Sequence, residues 1–181
     1  KVRTPAKRDL FDIEHDDQSK MENLDEHKSD IFHHIVAKLL FVSKRARPDI
    51  DLAISFLTTR VSKSTRYNWD KLRRLLEYLK TTIDMPRIVG TEDLKSLYTY
   101  VDASYAIHND MKGHTGGIMS LGIGALHHKS MKQKLNTKSL TETEVVGASD
   151  YLPWVLWMTR FLKHQGYNIK ENILFQDNKS A

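Results

Sequence analysis

Three acidic residues stand where the chain changes from one kind of element to another. Asp102 closes the alternating run that ends Tyr100-Val-Asp-Ala-Ser104. Glu144 lies at the start of a long helical pattern, and Asp177 sits in Phe175-Gln-Asp-Asn178 at the end of a last apolar run. Acids at the ends of adjacent strands, and on a helix packed across them, can converge on one point. Hard divalent cations such as Mg²⁺ take oxygen ligands, often only one or two carboxylates per ion beside substrate phosphate. Two such ions about 3.5–4 Å apart can activate a water and stabilise a leaving oxygen on phosphorus. Each acid also has a plainer use. An Asp at a strand end forms turns. Thr141-x-x-Glu144 has capping-box spacing and would then only close the helix start, but Ser139-x-x-Glu142 has the same spacing. The two glutamates are two residues apart and lie on different faces. Glu144 falls in line with Ala148, Leu152 and Val155, on the side that must meet a sheet, while Glu142 falls with Val146 and Ser149. The pattern therefore favours Glu144 as the inward acid and Glu142 as the cap.

Basic and hydroxyl side chains precede Glu144. Lys129, Lys132, Lys134 and Lys138 run from a strand into the loop before the helix, and Ser139 and Thr141 follow. They could hold phosphates or backbone hydroxyls near the acids; the alternatives are a solubilising edge strand and helix capping. The histidine pairs His33-His34 and His127-His128 point apart on a helix or strand and make poor shared ligands. Trp69, Trp154 and Trp157 sit in helical apolar patterns and read as core. Gly113–Gly117 reads as a turn.

The elements that must position these residues come from periodicity. Residues 1–29 are polar and acidic and read as an extended or disordered lead-in. Phe32, Ile35, Val36, Leu39, Leu40 and Val42 form a helical stripe over 30–45, with Ser29 or Asp30 as cap. Pro48 opens a second helix carrying Ile50, Ala53, Ile54 and Leu57. Ser64 or Thr65 caps a third, with Trp69, Leu72, Leu75, Leu76 and Leu79 inward and Lys71, Arg73, Arg74 and Lys80 outward. After Met85 the texture changes. Leu97–Val101, Gly117–Leu121 and Ala125–Lys129 read as strands, the last two joined by a hairpin at Gly122-Ile-Gly124. A helix from Thr141 to His164 contains Pro153, which should kink it. The strand Asn172–Gln176 comes last. Strands one to three should be antiparallel. The crossover of about 40 residues places the last strand parallel to the first and beside it.

Composition limits the function classes. The 181 residues are 40% hydrophobic and 28% charged, a globular balance. The absence of cysteine removes disulfides, thiolate zinc sites and a Cys nucleophile. No apolar run approaches the roughly 20 residues of a membrane helix, so no membrane partner is expected. Net charge is +5. Residues 31–90 carry 12 basic and 5 acidic groups, a net +7, against −3 before them and +1 after. That placement suits a polyanion partner, bound in a salt-sensitive way through Arg73, Arg74 and Lys80 among others.

Eight segments together resemble the reverse transcriptase/ribonuclease H part of a copia-type retrotransposon polyprotein. They are Phe32–Ser43, Arg47-Pro-Asp-Ile50, Leu75–Lys80, Val101-Asp-Ala-Ser104, Gly113–Gly117, Lys132-Gln-Lys134, Thr141-Glu-Thr-Glu144 and Gln176–Ala181, in the family's order. The resemblance implies an α/β fold: a ribonuclease H-like mixed sheet, truncated, over 95–181, preceded by a small three-helix thumb or connection over 30–84. It implies hydrolysis of the RNA strand of RNA–DNA hybrids with two Mg²⁺ ions, or Mn²⁺, held by four carboxylates. Asp102, Glu144 and Asp177 match the first three. The fourth is expected past Ala181 and the polymerase palm before Lys1, so both ends read as cut from something longer and the nuclease site as incomplete. The implied partners are the hybrid and the rest of the polyprotein, palm and integrase included, inside the cell in a cytoplasmic particle or the nucleus. The alternative is a catalytically inactive remnant that only binds nucleic acid.

Overall fold

Asp25 starts the first helix, earlier than Ser29 or Asp30 would: its carboxylate accepts the Lys28 amide at 2.9 Å. The computed structural model describes residues 2–11, 22–91, 93–108 and 110–178. It divides into two units, Lys1–Pro86 and Arg87–Ala181.

The first unit is helical. α1 spans Glu26–Arg45, a 3₁₀ turn Pro48–Ile50 leads into α2, Asp51–Thr58, and α3 spans Arg66–Thr81. Thr65 caps α3 in a reciprocal box with Asn68. Phe32, Val36, Ile54, Phe56, Leu57, Leu72 and Leu75 form the core. Each such buried side chain is worth about 1.5–3 kcal/mol. Leu76 is exposed, and Tyr78 takes the place on the inner face that the stripe gave it. Within the lead-in, residues 2–11 pack onto the helices. Leu10 is buried in the core beside Val2, Ala6 and Phe11, and Lys71 donates to the carbonyls of Asp9 and Leu10. Hydropathy misses this strap because one deep leucine among charges leaves no periodic signal. Residues 12–21 of the expected lead-in lie outside the described residues.

The second unit is a mixed sheet with one long helix. β1 is Gly90–Thr91, β2 Ser96–Ser104, β3 His114–Ser120, β4 Gly122–Ile123, β5 His127–Lys132, α4 Leu140–His164 and β6 Glu171–Phe175. The main sheet has the order β5-β3-β2-β6, with β2–β3 and β3–β5 antiparallel and β2–β6 parallel. These are the expected pairings. The expected hairpin at Gly122–Gly124 differs in part: β4 pairs with β1 in a separate two-stranded sheet. Among the described residues no helix is long and apolar enough to cross a membrane.

The apolar spacing of α4 suggests a stripe of Val145, Ala148, Leu152, Val155, Leu156 and Thr159, of which only Val155 and Thr159 are buried. Glu144, Gly147, Tyr151, Val155, Met158 and Leu162 face the sheet, whereas Val145, Leu152 and Leu156 are exposed. Trp154 and Trp157 are also exposed, so neither is core. The helix is apolar nearly all round, and hydropathy alone does not choose its inner side. Shape does. Tyr151 lies on Gly117, where a Cβ would stand 2.2 Å from its ring, and Gly147 meets Ala103, where a Cβ would stand 3.0 Å from the alanine Cβ. Pro153 lies inside the continuous helix on its exposed side.

Candidate metal centre

Strand alternation sends Tyr98, Tyr100, Asp102 and Ser104 of β2 to one face of the sheet and Leu97, Thr99, Val101 and Ala103 to the face that α4 covers. The last paired residues of the parallel ladder are Tyr100 and Phe175. Beyond them β2 runs on through Asp102 to Ser104 while β6 ends. Asp177 follows two residues after the end of β6. Glu144 comes from the helix layer, one turn before the close contact of Gly147 with Ala103. One oxygen from each of Asp102, Glu144 and Asp177 lies within 4.8 Å of the others.

The helix start is held so that Glu144 must point inward. Ser139 is the N-cap and accepts the Glu142 amide at 3.1 Å; Glu142 in turn accepts the Lys138 amide at 2.6 Å. Glu142 therefore caps, and Thr141-x-x-Glu144 does not form a box. Gln133, fully buried, donates to the Thr143 carbonyl at 3.0 Å and to Thr115 Oγ1 at 2.9 Å, and Thr137 and Thr143 share a hydrogen bond. This ties the first turn of α4 to β3 and to the loop before it.

Glu144 is 3% exposed, whereas Asp102 and Asp177 are exposed. Burial pushes the Glu144 carboxyl above its ordinary value, and the charges of Asp102 and Asp177 push the same way. Hydrogen bonds from Gln176 and the Ala103 backbone N–H oppose them without reversing the shift. Three carboxylates meeting around one point, one of them buried, is a donor set that suits a hard divalent cation. The two exposed acids leave one side of the cluster open to solvent.

The other residues singled out in the sequence are spread more widely. Lys129 and Lys132 do not form a row, because they pair with Gly117 and His114 and so project to opposite faces. The Lys129 ammonium lies 4.3 Å from the Trp154 ring centroid, and Lys132 pairs with Asp110 at 2.7 Å. Lys134 and Lys138 are exposed in the loop, Ser139 caps, and Thr141 is half-buried. In the helical unit Arg73 pairs with Asp70 at 3.3 Å, Arg74 donates to Thr4 at 3.0 Å, and Lys80 is exposed in the last turn of α3.

Sequence reading missed three features. Gln176 was only part of a motif. A glycine inside a helix, Gly147, signals close packing and could have marked the crossing point. The buried pair His108–His114, 3.1 Å apart with His114 2.7 Å from Ser130, left no trace in spacing.

No family model matches the chain, and no solved structure matches it. It is similar to a retrovirus-related Pol polyprotein from transposon TNT 1-94 of Nicotiana tabacum, 29% identical over 147 residues, 81% of this chain and 11% of that protein. It is also similar to the Pol polyprotein from transposon RE2 of Arabidopsis thaliana, 28% identical over 152 residues, 83% of this chain and 10% of that protein. The chain thus spans about a tenth of the length of these relatives. A shorter relative is the secreted RxLR effector protein 161 of Plasmopara viticola, 26% identical over 125 residues, 68% of this chain and 88% of that protein.

Proposed function

We propose that residues 95–181 are the ribonuclease H-like segment of a copia-type retrotransposon polyprotein, acting on the RNA strand of RNA–DNA hybrids, with residues 30–84 as its thumb or connection. The observation that carries this reading is the meeting of Asp102, Glu144 and Asp177 within 4.8 Å, in a chain similar to plant Pol polyproteins. In this reading the three carboxylates hold Mg²⁺, or Mn²⁺, through their oxygens. Bound there, a pair of ions supplies an activated water and stabilises the leaving oxygen on phosphorus. The chain's own part is positional. Glu144 fixes the buried side of the site from α4, and exposed Asp102 and Asp177 face the side by which a phosphate enters. Lys134 and Lys138, exposed in the loop before α4, are suited to phosphates of the same hybrid.

The test is cleavage of a labelled hybrid in Mg²⁺ by the polyprotein segment that carries this chain, beside Asp102→Asn. Cleavage should disappear in the variant while hybrid binding persists. Full cleavage by Asp102→Asn would overturn the reading, because an amide does not supply the charge that holds the ions. The alternative is an inactive module that binds nucleic acid without cutting it. Hybrid binding by the unaltered segment, with no cleavage in Mg²⁺ or Mn²⁺, would select that alternative.

A further inference from the structure

Gln176 stands between β6 and Asp177, and it is half-buried. If the strand alternation is carried past Phe175, Gln176 turns to the α4 side while Phe175 and Asp177 turn to the other. There its Nε2 donates to Glu144 Oε2 at 3.4 Å. The Ala103 backbone, on the stretch of β2 that extends beyond its last pairing with β6, also favours the charged carboxylate. Glu144 is thus held by one neutral side-chain donor, from the residue that follows β6. This donor does not cancel its charge. A long side chain held at one oxygen has a fixed rotamer and presents the other oxygen to the neighbouring acids. A glutamate without this hold would be driven from Asp102 and Asp177 by like-charge repulsion.

We infer that Gln176 is a positioning residue: its amide fixes the Glu144 carboxylate in a ligating orientation before a divalent cation arrives. This rests on the metal-site reading of the three carboxylates. Partners that orient metal ligands typically change affinity by about 10–100-fold when removed. The hydrogen bond is long, which points to the lower end.

The experiment titrates Mn²⁺ into the whole chain by calorimetry and follows the bound ion by electron paramagnetic resonance. Gln176→Met keeps the length of the side chain and removes the donor. Gln176→His keeps a ring N–H with which to reach the same oxygen. Gln176→Met should weaken Mn²⁺ about tenfold and broaden the spectrum of the bound ion, with the thermal unfolding of the metal-free chain unchanged. Gln176→His should recover most of the affinity. A role confined to packing would lower metal-free stability in both variants and leave the dissociation constants alone, which overturns the inference. Equal affinity in Gln176→Met and the unaltered chain overturns it too while leaving the metal site standing. No Mn²⁺ binding by the unaltered chain overturns the metal site, and this inference with it.

Discussion

Both units bury carboxylates, and they treat them in opposite ways. In the helical unit Asp51, 4% exposed, accepts two hydrogen bonds from Lys44 at 2.7 and 2.8 Å and one from Ser43 at 3.2 Å. Asp49 accepts from Arg47 at 2.9 and 2.7 Å and from Tyr78 at 2.8 Å. Burial alone would raise the Asp49 carboxyl, but Arg47 and Tyr78 outweigh it and hold the group below its ordinary value. In the α/β unit Glu144 is buried just as deeply as Asp51, yet its neighbours are a neutral amide from Gln176 and two more acids, and its carboxyl is raised. The first arrangement supplies its own cations and needs nothing further. The second concentrates negative charge at a point open to solvent on one side. The difference separates a charge neutralised by its own partners from one that, on the proposed metal-site reading, would be neutralised by a divalent cation.

The largest expected effect tests that distinction directly. Mn²⁺ or Mg²⁺ at about a hundredfold over its dissociation constant should stabilise the α/β unit by about 2.7 kcal/mol and the helical unit not at all. Asp102→Asn should remove that gain. Hydrogen exchange resolved by unit, with and without ion, is the measurement; equal protection of both units would erase the contrast.

Acid should separate the units as well. Burial, with the charge of His108 behind it, lowers His114 from 6.5 to about 3. An unfolded chain binds this proton near 6.5 and the folded one does not, so the stability is whole above 6.5 and is lost as pH falls towards 3. At pH 5 the loss is about 2 kcal/mol in the α/β unit. Glu144, raised above 4.5, works the other way and regains stability as it protonates. Asp49 is held below 3.8, so its contribution to the helical unit persists to pH 3.8 and is lost only below it. Unit-resolved exchange at pH 7 and pH 5 would show whether the α/β unit alone weakens.

Substitutions should differ in sign. Lys44→Met leaves Asp51 buried without its cation and should cost about 1.5 kcal/mol, a modest figure because Lys44 is 39% exposed. Glu144→Gln removes one charge from a crowded cluster and should stabilise the metal-free chain by about 1 kcal/mol. Denaturant midpoints of the two variants would settle the comparison, and a destabilised Glu144→Gln would argue against repulsion in the cluster. The smallest effect concerns geometry. Gly147→Ala sets a Cβ 3.0 Å from that of Ala103, so α4 must shift by a few tenths of an ångström. Stability should fall by about 1 kcal/mol, and Mn²⁺ affinity should fall with it, since Glu144 moves with the helix.

Sequence legibility divides along a different line, between local signals and tertiary fit. Asp102, Glu144 and Asp177 could be singled out because strand ends and helix spacing place an acid without reference to the rest of the chain. Glu144 is inward and Glu142 caps as expected, but the face that argued for it was wrong in part: Leu152, put in line with Glu144, is exposed, and Gly147, Tyr151 and Val155 share its side. The inner side of α4 was not legible, because Val145, Leu152, Leu156, Trp154 and Trp157 are as apolar as the residues that pack. That choice is made by fit between large and small, Tyr151 on Gly117 and Gly147 on Ala103, and hydropathy carries no information about fit. The strap at Leu10, the pairing of β4 with β1 and the link between His108 and His114 depend on tertiary contacts that no local period announces.

Pro153 divides α4 into two segments with different tethers. It brings no amide hydrogen for the Ser149 carbonyl, so one rung of the helical ladder is absent on the solvent side. The segment before it, with Glu144, Gly147 and Tyr151, is fastened by Gln133 and by two glycine contacts. The segment after it is fastened by Val155, Met158 and Leu162 in the core and by Thr159, which donates to Asn172 at 2.9 Å. Fraying that begins at His164 meets a fault line at Pro153 before it reaches Glu144. The segment that carries Glu144 therefore has fastenings of its own, separate from those of the helix's far end.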